Sequence, residues 1–133
     1  FRIYKGDGSQ DNTQIECDFS SNMGQWTYVT LVNESDGSGN NTQKILINGQ
    51  EEASANWSGE KDWSSGFVHE GIGGPYYDDP YTFKGNISSV EIWDNSLSDE
   101  QIVSNMYAEF TGNENGLVSY WGFDETEVGR GRG

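Results

Sequence analysis

The stretch TQKILINGQEEASANW, residues 42–57, constrains the fold more than any other part of the chain. Its first half has the residue types of a β-strand and ends at Asn48-Gly49. This dipeptide favours the two-residue turn of a β-hairpin, in which both central residues take a positive φ. Residues 50–57 follow as the partner strand. The sequence therefore predicts an antiparallel hairpin around residues 48 and 49.

Further strands are predicted where polar and apolar residues alternate between turn-forming residues. In residues 13–19, Ile15, Cys17 and Phe19 alternate with Glu16 and Asp18, which indicates one buried and one exposed face. The chain has 18 glycines, and with its many asparagines and serines these favour short strands joined by turns. The other predicted strands span residues 1–5, 25–33, 67–74, 82–94 and 116–123.

One helix is predicted at residues 99–109. Ser98 is suited to the N-cap, and Gln101 stands at the capping-box position three residues later. Gly112 is suited to end the helix. The apolar residues that follow the cap at helical spacing are Ile102, Val103, Met106, Tyr107 and Phe110.

A single helix among many short strands is typical of an antiparallel two-sheet sandwich. Hydrophobic residues make up only 32% of the 133 residues, so the core depends on aromatic side chains, each of which buries a large area. This length suffices for one domain. We therefore predict an all-β antiparallel sandwich.

Charge and residue usage exclude several classes of function. The formal net charge of −15 repels the phosphates of nucleic acids and anionic lipid surfaces. Apolar runs are only a few residues long, so no membrane insertion is predicted. Cys17 and His69 are the only cysteine and histidine, which argues against a zinc site. Cys17 is interpreted as a small buried hydrophobe, or as half of a disulfide to a partner outside this sequence.

Two carboxylate pairs invite comparison with a glycosidase. A retaining glycosidase needs carboxyl groups about 5 Å apart, and residues on a strand share a face only at even spacing. Glu91 and Asp94 are three residues apart and are predicted on opposite faces. Glu16 and Asp18 have the required spacing but are interpreted as solvated residues of a polar face. We predict no catalytic residue.

Two segments carry a resemblance to a known family: FKGNISSVEIWDNSLSDEQI, residues 83–102, and GLVSYWGFDE, residues 116–125. Together with QWTYVTLV and KILINGQ upstream, they resemble a laminin-G-like jelly roll of the concanavalin-A-like lectin and glucanase superfamily. The segment 83–102 is also similar to a strand-and-helix segment of pentraxins. The resemblance covers roughly residues 25–124 and implies a jelly-roll fold. It says little about function, because the superfamily holds both enzymes and pure binders.

The same resemblance bears on catalysis. Laminarinase-type relatives carry E-x-D-x-E on one strand, which lines three carboxylates along one cleft. In this chain Trp93 and Asn95 stand where two of those acids should be. The resemblance therefore implies a module without the glucanase machinery.

The loop PYYDDPY, residues 75–81, contains the predicted site residues. In the pentraxin-like comparison a loop at this place contributes calcium ligands, so Asp78 and Asp79 are the candidate metal ligands and calcium the candidate cofactor. The flanking Tyr76, Tyr77 and Tyr81 are candidate ligand-binding residues, since aromatic rings stack on the apolar faces of sugars. The alternatives are a proline-fixed turn with exposed acids, and tyrosines that merely cover one end of the sandwich.

Four Asn-x-Ser/Thr sequons mark candidate glycosylation sites, should the protein be secreted by a eukaryote. They begin at Asn33, Asn40, Asn56 and Asn86.

We predict a laminin-G-like sandwich at residues 1–124, incomplete at its N-terminus, and a flexible tail at residues 125–133. The chain begins with Phe rather than Met, so we expect a piece of a larger polypeptide or assembly. The predicted function is a non-catalytic extracellular or cell-surface module that binds glycan or an extracellular protein, with no nucleic-acid partner. The alternatives are a structural spacer of a filament, sheath or virion fibre, and a fragment of a glycoside hydrolase of the same fold.

Overall fold

The computed structural model describes residues 2–4, 14–58, 72–74 and 82–123. These residues form seven antiparallel strands and one short α-helix, which confirms the predicted all-β fold class. The elements are β1 (Arg2–Tyr4), β2 (Gln14–Glu16), β3 (Val29–Ser35), β4 (Asn40–Ile47), β5 (Gln50–Ser58), β6 (Ser89–Trp93), α1 (Asp99–Asn105) and β7 (Leu117–Gly122). Within this described part, no helix is long and apolar enough to cross a membrane.

The chain divides into two compact units. The first comprises Phe1–Trp63 and Ser96–Glu109 and contains β1 to β5 and α1. The second comprises Ser64–Asn95 and Phe110–Gly133 and contains β6 and β7.

The centre of the first unit is the sheet β3-β4-β5. β4 and β5 form the predicted hairpin, and Asn48 and Gly49 of its turn take φ angles of 51° and 79°. The pairing of β4 with β5 shifts by one residue between Ile45 and Leu46. Such a bulge leaves one extra residue on one strand and changes which side chains face each other.

One face of this sheet, here called the core face, carries an apolar cluster. Ile45 and Ile47 of β4 are buried there together with Ile15 of β2. Cys17 and Phe19 pack against the same cluster, while Glu16 and Asp18 are exposed, so the predicted alternation in residues 13–19 is confirmed. The single cysteine is only partly buried.

The opposite face of the sheet, here called the helix face, is covered by α1 along its apolar part. Ile102 of α1 is 1% exposed and is clustered with Val32 of β3 and Leu46 of β4. Tyr28 and Leu97 pack against this cluster. The rest of the helix face is polar.

The helix is shorter than predicted. α1 ends at Asn105 rather than at residue 109, and Tyr107 is 85% exposed beyond it. Only Ile102 of α1 is buried, so tertiary contacts stabilise a helix of about two turns and not a longer one. Phe110, which was predicted on the apolar side of the helix, instead packs in the second unit.

The predicted capping box at the start of α1 is present. The Gln101 backbone N–H donates to Ser98 Oγ at 3.3 Å, and the Ser98 backbone N–H donates to Gln101 Oε1 at 2.9 Å. We expect Ser98→Ala to lower the free energy of unfolding by about 1 kcal/mol, because it leaves a helix N–H without its partner. Urea unfolding measures this change. Ser104→Ala, on the exposed side of α1, is the matched control and should be nearly neutral; an equal loss in both variants would refute the capping role.

The second unit contains an aromatic cluster on the antiparallel pair β6-β7. Phe110 makes edge contacts with Trp93 at 5.6 Å and with Tyr120 at 5.5 Å between ring centroids. Ile92 of β6 does not pack inward, since it is 45% exposed. The face with Trp93 is the packed one, because its rings offer more area and favourable edge geometry.

Several predicted strands are shorter in the structure. The strand predicted at residues 82–94 is limited to β6, and the one at residues 25–33 begins only at Val29. The strand at residues 13–19 ends at Glu16, because Asp18 Oδ1 accepts the Ser20 backbone N–H at 2.8 Å where a short 3-10 turn begins. Of the strand predicted at residues 67–74, only 72–74 are described, and they form a bend.

Candidate functional site

A polar groove lies on the helix face of the central sheet. Its volume is about 820 Å³ and it is open to solvent. The described residues that line it all belong to the first unit and are all polar. They are Glu34, Ser35, Asp36, Asn40, Asn41, Thr42, Asn56, Ser58 and Ser96.

The groove follows from the alternation of β4. Asn40, Thr42, Lys44 and Leu46 lie on the helix face, because every second residue of a strand shares a face. Leu46 lies under α1, whereas the polar residues at the other end of the strand are left uncovered. One strand thus supplies both the apolar seat of α1 and the polar floor of the groove.

The turn between β3 and β4 is held by the Asp36 carboxylate. Asp36 Oδ1 accepts the backbone N–H groups of Ser38 at 2.7 Å and Asn40 at 3.1 Å, and Asp36 Oδ2 accepts Asn40 Nδ2–H at 2.6 Å. The hydrogen bond from the Asn40 side chain, followed by those from the Ser38 and Asn40 backbones, lowers the pKa of Asp36. The carboxylate is therefore ionised, and both of its oxygens accept hydrogen bonds within the turn.

A cross-strand row forms the middle of the groove. Glu34, Thr42 and Asn56 stand opposite one another on β3, β4 and β5. Thr42 Oγ1–H donates to Asn56 Oδ1 at 2.8 Å. This bond leaves the two N–H donors of Asn56 and the lone pairs of the Thr42 hydroxyl for a ligand.

The second carboxylate of the groove is paired with a lysine. Lys44 Nζ lies 3.2 Å from Glu34 Oε2, and both side chains are partly exposed. An ion pair of this exposure contributes at most about 1 kcal/mol to stability. It does, however, neutralise part of the negative charge beside the row.

A comparison with protein families places the chain. A laminin-G-like family model, described as the concanavalin A-like lectin/glucanases superfamily, matches residues 1–103. The chain belongs to this superfamily. The match begins upstream of the segment on which the sequence resemblance rested, and it includes every residue of the groove. No curated protein and no solved structure matches the chain significantly.

Membership in the concanavalin A-like superfamily agrees with the antiparallel sheets and single short helix, which are consistent with a jelly-roll sandwich. Laminin-G-like domains are generally non-catalytic and typically extracellular, but the superfamily also contains glycosidases. The family alone therefore supports a binding module without defining a ligand.

In the described part of this laminin-G-like chain, local hydrogen bonds lower the pKa of four carboxyl groups. A glycosidase general acid needs a raised pKa, whereas the shifts resolved for carboxyl groups are downward, at Asp18, Asp36, Glu100 and Glu114. Local hydrogen bonds to the ionised form dominate each shift. The carboxylate pair Glu91 and Asp94 was singled out from the sequence. Glu91 Oε2 accepts Trp93 Nε1–H at 3.3 Å, and Asp94 lies beyond the end of β6.

The sequence also predicts a ligand and metal site in the loop at residues 75–81. Tyr76, Tyr77, Tyr81, Asp78 and Asp79 lie outside the described residues. Within the described ranges, no three His, Cys, Asp or Glu side chains are grouped as metal ligands.

Two of the four sequons lie in the groove. All four asparagines are exposed, and Asn40 and Asn56 line the groove directly. Asn33 lies on β3 opposite Gln43, on the core face, and Asn86 precedes β6 in the second unit. A glycan attached at Asn40 or Asn56 would therefore occupy the groove.

In the sequence, ESDGSGNN, residues 34–41, is a polar stretch between two predicted strands, and this was not enough to predict the groove. The available signal was the polar alternation of Asn40, Thr42 and Lys44 directly before Leu46 on one strand. That pattern predicts a sheet face that changes from polar to apolar along its length.

Acid is expected to loosen the Asp36 turn only at low pH. A carboxyl whose pKa is lower in the folded than in the unfolded protein stabilises the fold above its unfolded pKa of about 3.9. That contribution is lost as the pH falls through the lowered pKa of the folded state. An NMR titration of the Asp36 carboxyl carbon should give a midpoint below the ordinary pKa of 3.8. In Asn40→Ala, which removes the largest cause, the midpoint should rise; an unchanged midpoint would show that Asn40 does not lower this pKa.

Proposed function

We propose that the chain is a non-catalytic extracellular binding module whose polar groove binds glycan. The observation that carries the proposal is the row of Glu34, Thr42 and Asn56, where amide and hydroxyl groups stand side by side on a rigid sheet. Sugar hydroxyls both donate and accept hydrogen bonds, so they match such a row. A site built on paired strands loses little conformational entropy when it binds.

Two further findings support this proposal. Laminin-G-like domains are generally non-catalytic and typically extracellular. In addition, the groove carboxylates are engaged within the protein, Asp36 by its turn and Glu34 by Lys44.

The test is a binding measurement with matched variants expressed in bacteria. The wild-type protein is applied to an array of immobilised oligosaccharides, and the affinity for any ligand retained is measured by calorimetry. Asn56→Ala should weaken binding about tenfold or more, because it removes two donors at the centre of the row. Asn33→Ala, an exposed asparagine on the other face of the sheet, is the control and should bind as the wild type.

Absence of binding across the array, or equal affinity of Asn56→Ala and wild type, would refute the groove as a glycan site. Thr42→Val, which keeps the shape of the side chain but removes its hydroxyl, provides a second variant should Asn56→Ala fail to fold.

Glycosylation at Asn40 or Asn56 is expected to abolish ligand binding, because the attached sugar would fill the groove. The protein secreted from eukaryotic cells, with its occupied sites mapped by mass spectrometry, should bind far more weakly than the unglycosylated protein expressed in bacteria. Asn33→Gln and Asn86→Gln, which remove the two sequons whose asparagines lie outside the groove lining, serve as controls and should leave this difference unchanged. Full binding by protein occupied at Asn56 would contradict this expectation.

If a metal is bound, we propose calcium at Asp78 and Asp79, since carboxylate oxygens suit a hard cation. Calcium titration by calorimetry of wild type and Asp79→Ala tests this site. Identical heats of calcium binding in the two proteins would rule out this site.

A further inference from the structure

The charges around the groove bear on which glycans it accepts. Among the described residues, its lining contains two acidic residues, Glu34 and Asp36, and no basic residue. Lys44, which lies beside this described lining, is paired with Glu34. We propose that the groove selects uncharged glycans, discriminates against sulfated and uronic-acid glycans, and binds without a bridging metal ion. This inference rests on the proposed function.

The first step concerns the charge that a ligand meets. An anionic sugar in the groove would lie near the Asp36 carboxylate, which stays ionised because its pKa is lowered by the turn. Like charges a few ångströms apart repel each other, and they do so more strongly near a protein surface than in bulk water. The net charge of −15 adds long-range repulsion.

The second step concerns metal bridging, by which an acidic site can still bind an anionic sugar. A hard cation needs several oxygen ligands with available lone pairs. Asp36 already accepts three hydrogen bonds, from Ser38 and Asn40, and Glu34 is paired with Lys44. The two carboxylates are thus committed within the protein, and the described residues contain no grouped set of metal ligands.

The third step concerns what the groove still offers. Asn56 keeps two amide donors, and the hydroxyls of Ser58 and Ser96 have no side-chain hydrogen bond within the described part of the chain. These groups are uncharged donors and acceptors that match the hydroxyls of a neutral sugar. Among the described residues that line the groove none is apolar, which disfavours a peptide anchored by hydrophobic residues.

The experiment compares matched oligosaccharides by calorimetry, each neutral glycan being paired with its sulfated or uronic-acid counterpart. The bacterially expressed protein should bind the neutral member at least about tenfold more tightly. Added EDTA should leave that affinity unchanged. Glu34→Gln, which removes one negative charge and leaves Lys44 without its partner, should narrow the gap by raising the affinity for the anionic member.

The outcomes separate this inference from the proposed function. Tighter binding of the anionic member, or loss of binding in EDTA, with either effect abolished in Asn56→Ala, would overturn the selectivity and leave the groove as a glycan site. No binding of either member, or binding that Asn56→Ala does not weaken, would overturn the proposed function itself. Preference for the neutral member, retained in EDTA and lost in Asn56→Ala, is the expected result.

Discussion

Replacing Ile45 with alanine is expected to lower the free energy of unfolding by about 2–5 kcal/mol. Ile45 is fully buried at the centre of the core face, where it packs with Ile15 and Ile47. The substitution removes three carbon atoms from a site enclosed by strands on both sides, so the cavity cannot collapse completely. Urea unfolding with an unchanged m-value measures the loss.

The matched control for Ile45→Ala is Leu31→Ala. Leu31 stands directly opposite Ile45 on the neighbouring strand but is 51% exposed. Its truncation should cost less than about 1 kcal/mol, because much of the side chain already contacts water. Equal losses of unfolding free energy in the two variants would mean that Ile45 is not part of the buried core.

Gly49→Ala is expected to lower the free energy of unfolding by about 2–4 kcal/mol through two separate effects. Gly49 has a φ of 79°, which costs an alanine conformational energy. A Cβ at this position would also lie 2.7 Å from Val103 Cγ2 on α1, well inside van der Waals contact. The missing side chain of Gly49 therefore allows α1 to pack closely against the hairpin turn.

Two variants separate the effects at Gly49. Gly37 has a φ of 73° with no atom near its Cβ position, so Gly37→Ala should show the conformational cost alone, about 1 kcal/mol. Adding Val103→Ala to Gly49→Ala should recover the steric part of the loss. If Gly49→Ala costs no more than Gly37→Ala in urea unfolding, the close approach of Val103 does not contribute to stability.

Local sequence signals were sufficient to predict much of the secondary structure of the first unit. The Asn48-Gly49 turn and the capping box at Ser98 were both predicted because each depends on a few neighbouring residues. The length of α1 was not predictable in this way. Tyr107 and Phe110 continue the helical spacing, but the contacts of Phe110 with Trp93 and Tyr120 lie outside the helix, and sequence periodicity does not distinguish the two arrangements.

The groove was only partly predictable, for a reason that lies in the pairing of β4 with β5. The sequence by itself determined a hairpin whose turn pairs Ile47 with Gln50 and Leu46 with Glu51. Continued without interruption, that register would pair Thr42 with Ala55 and would direct Glu52, Ser54 and Asn56 toward the core face.

The tertiary structure decided the register beyond Leu46. The bulge after Ile45 pairs Ile45 with Ala53 and Thr42 with Asn56. Ala53 and Ala55 thereby pack against the cluster of Ile15, Ile45 and Ile47, and no glutamate has to be buried there. Burying an unpaired charge costs far more free energy than losing one hydrogen-bonded residue pair between β4 and β5. Packing of the core therefore selects the bulge. The same one-residue shift brings Asn56 beside Thr42 on the helix face and so completes the groove.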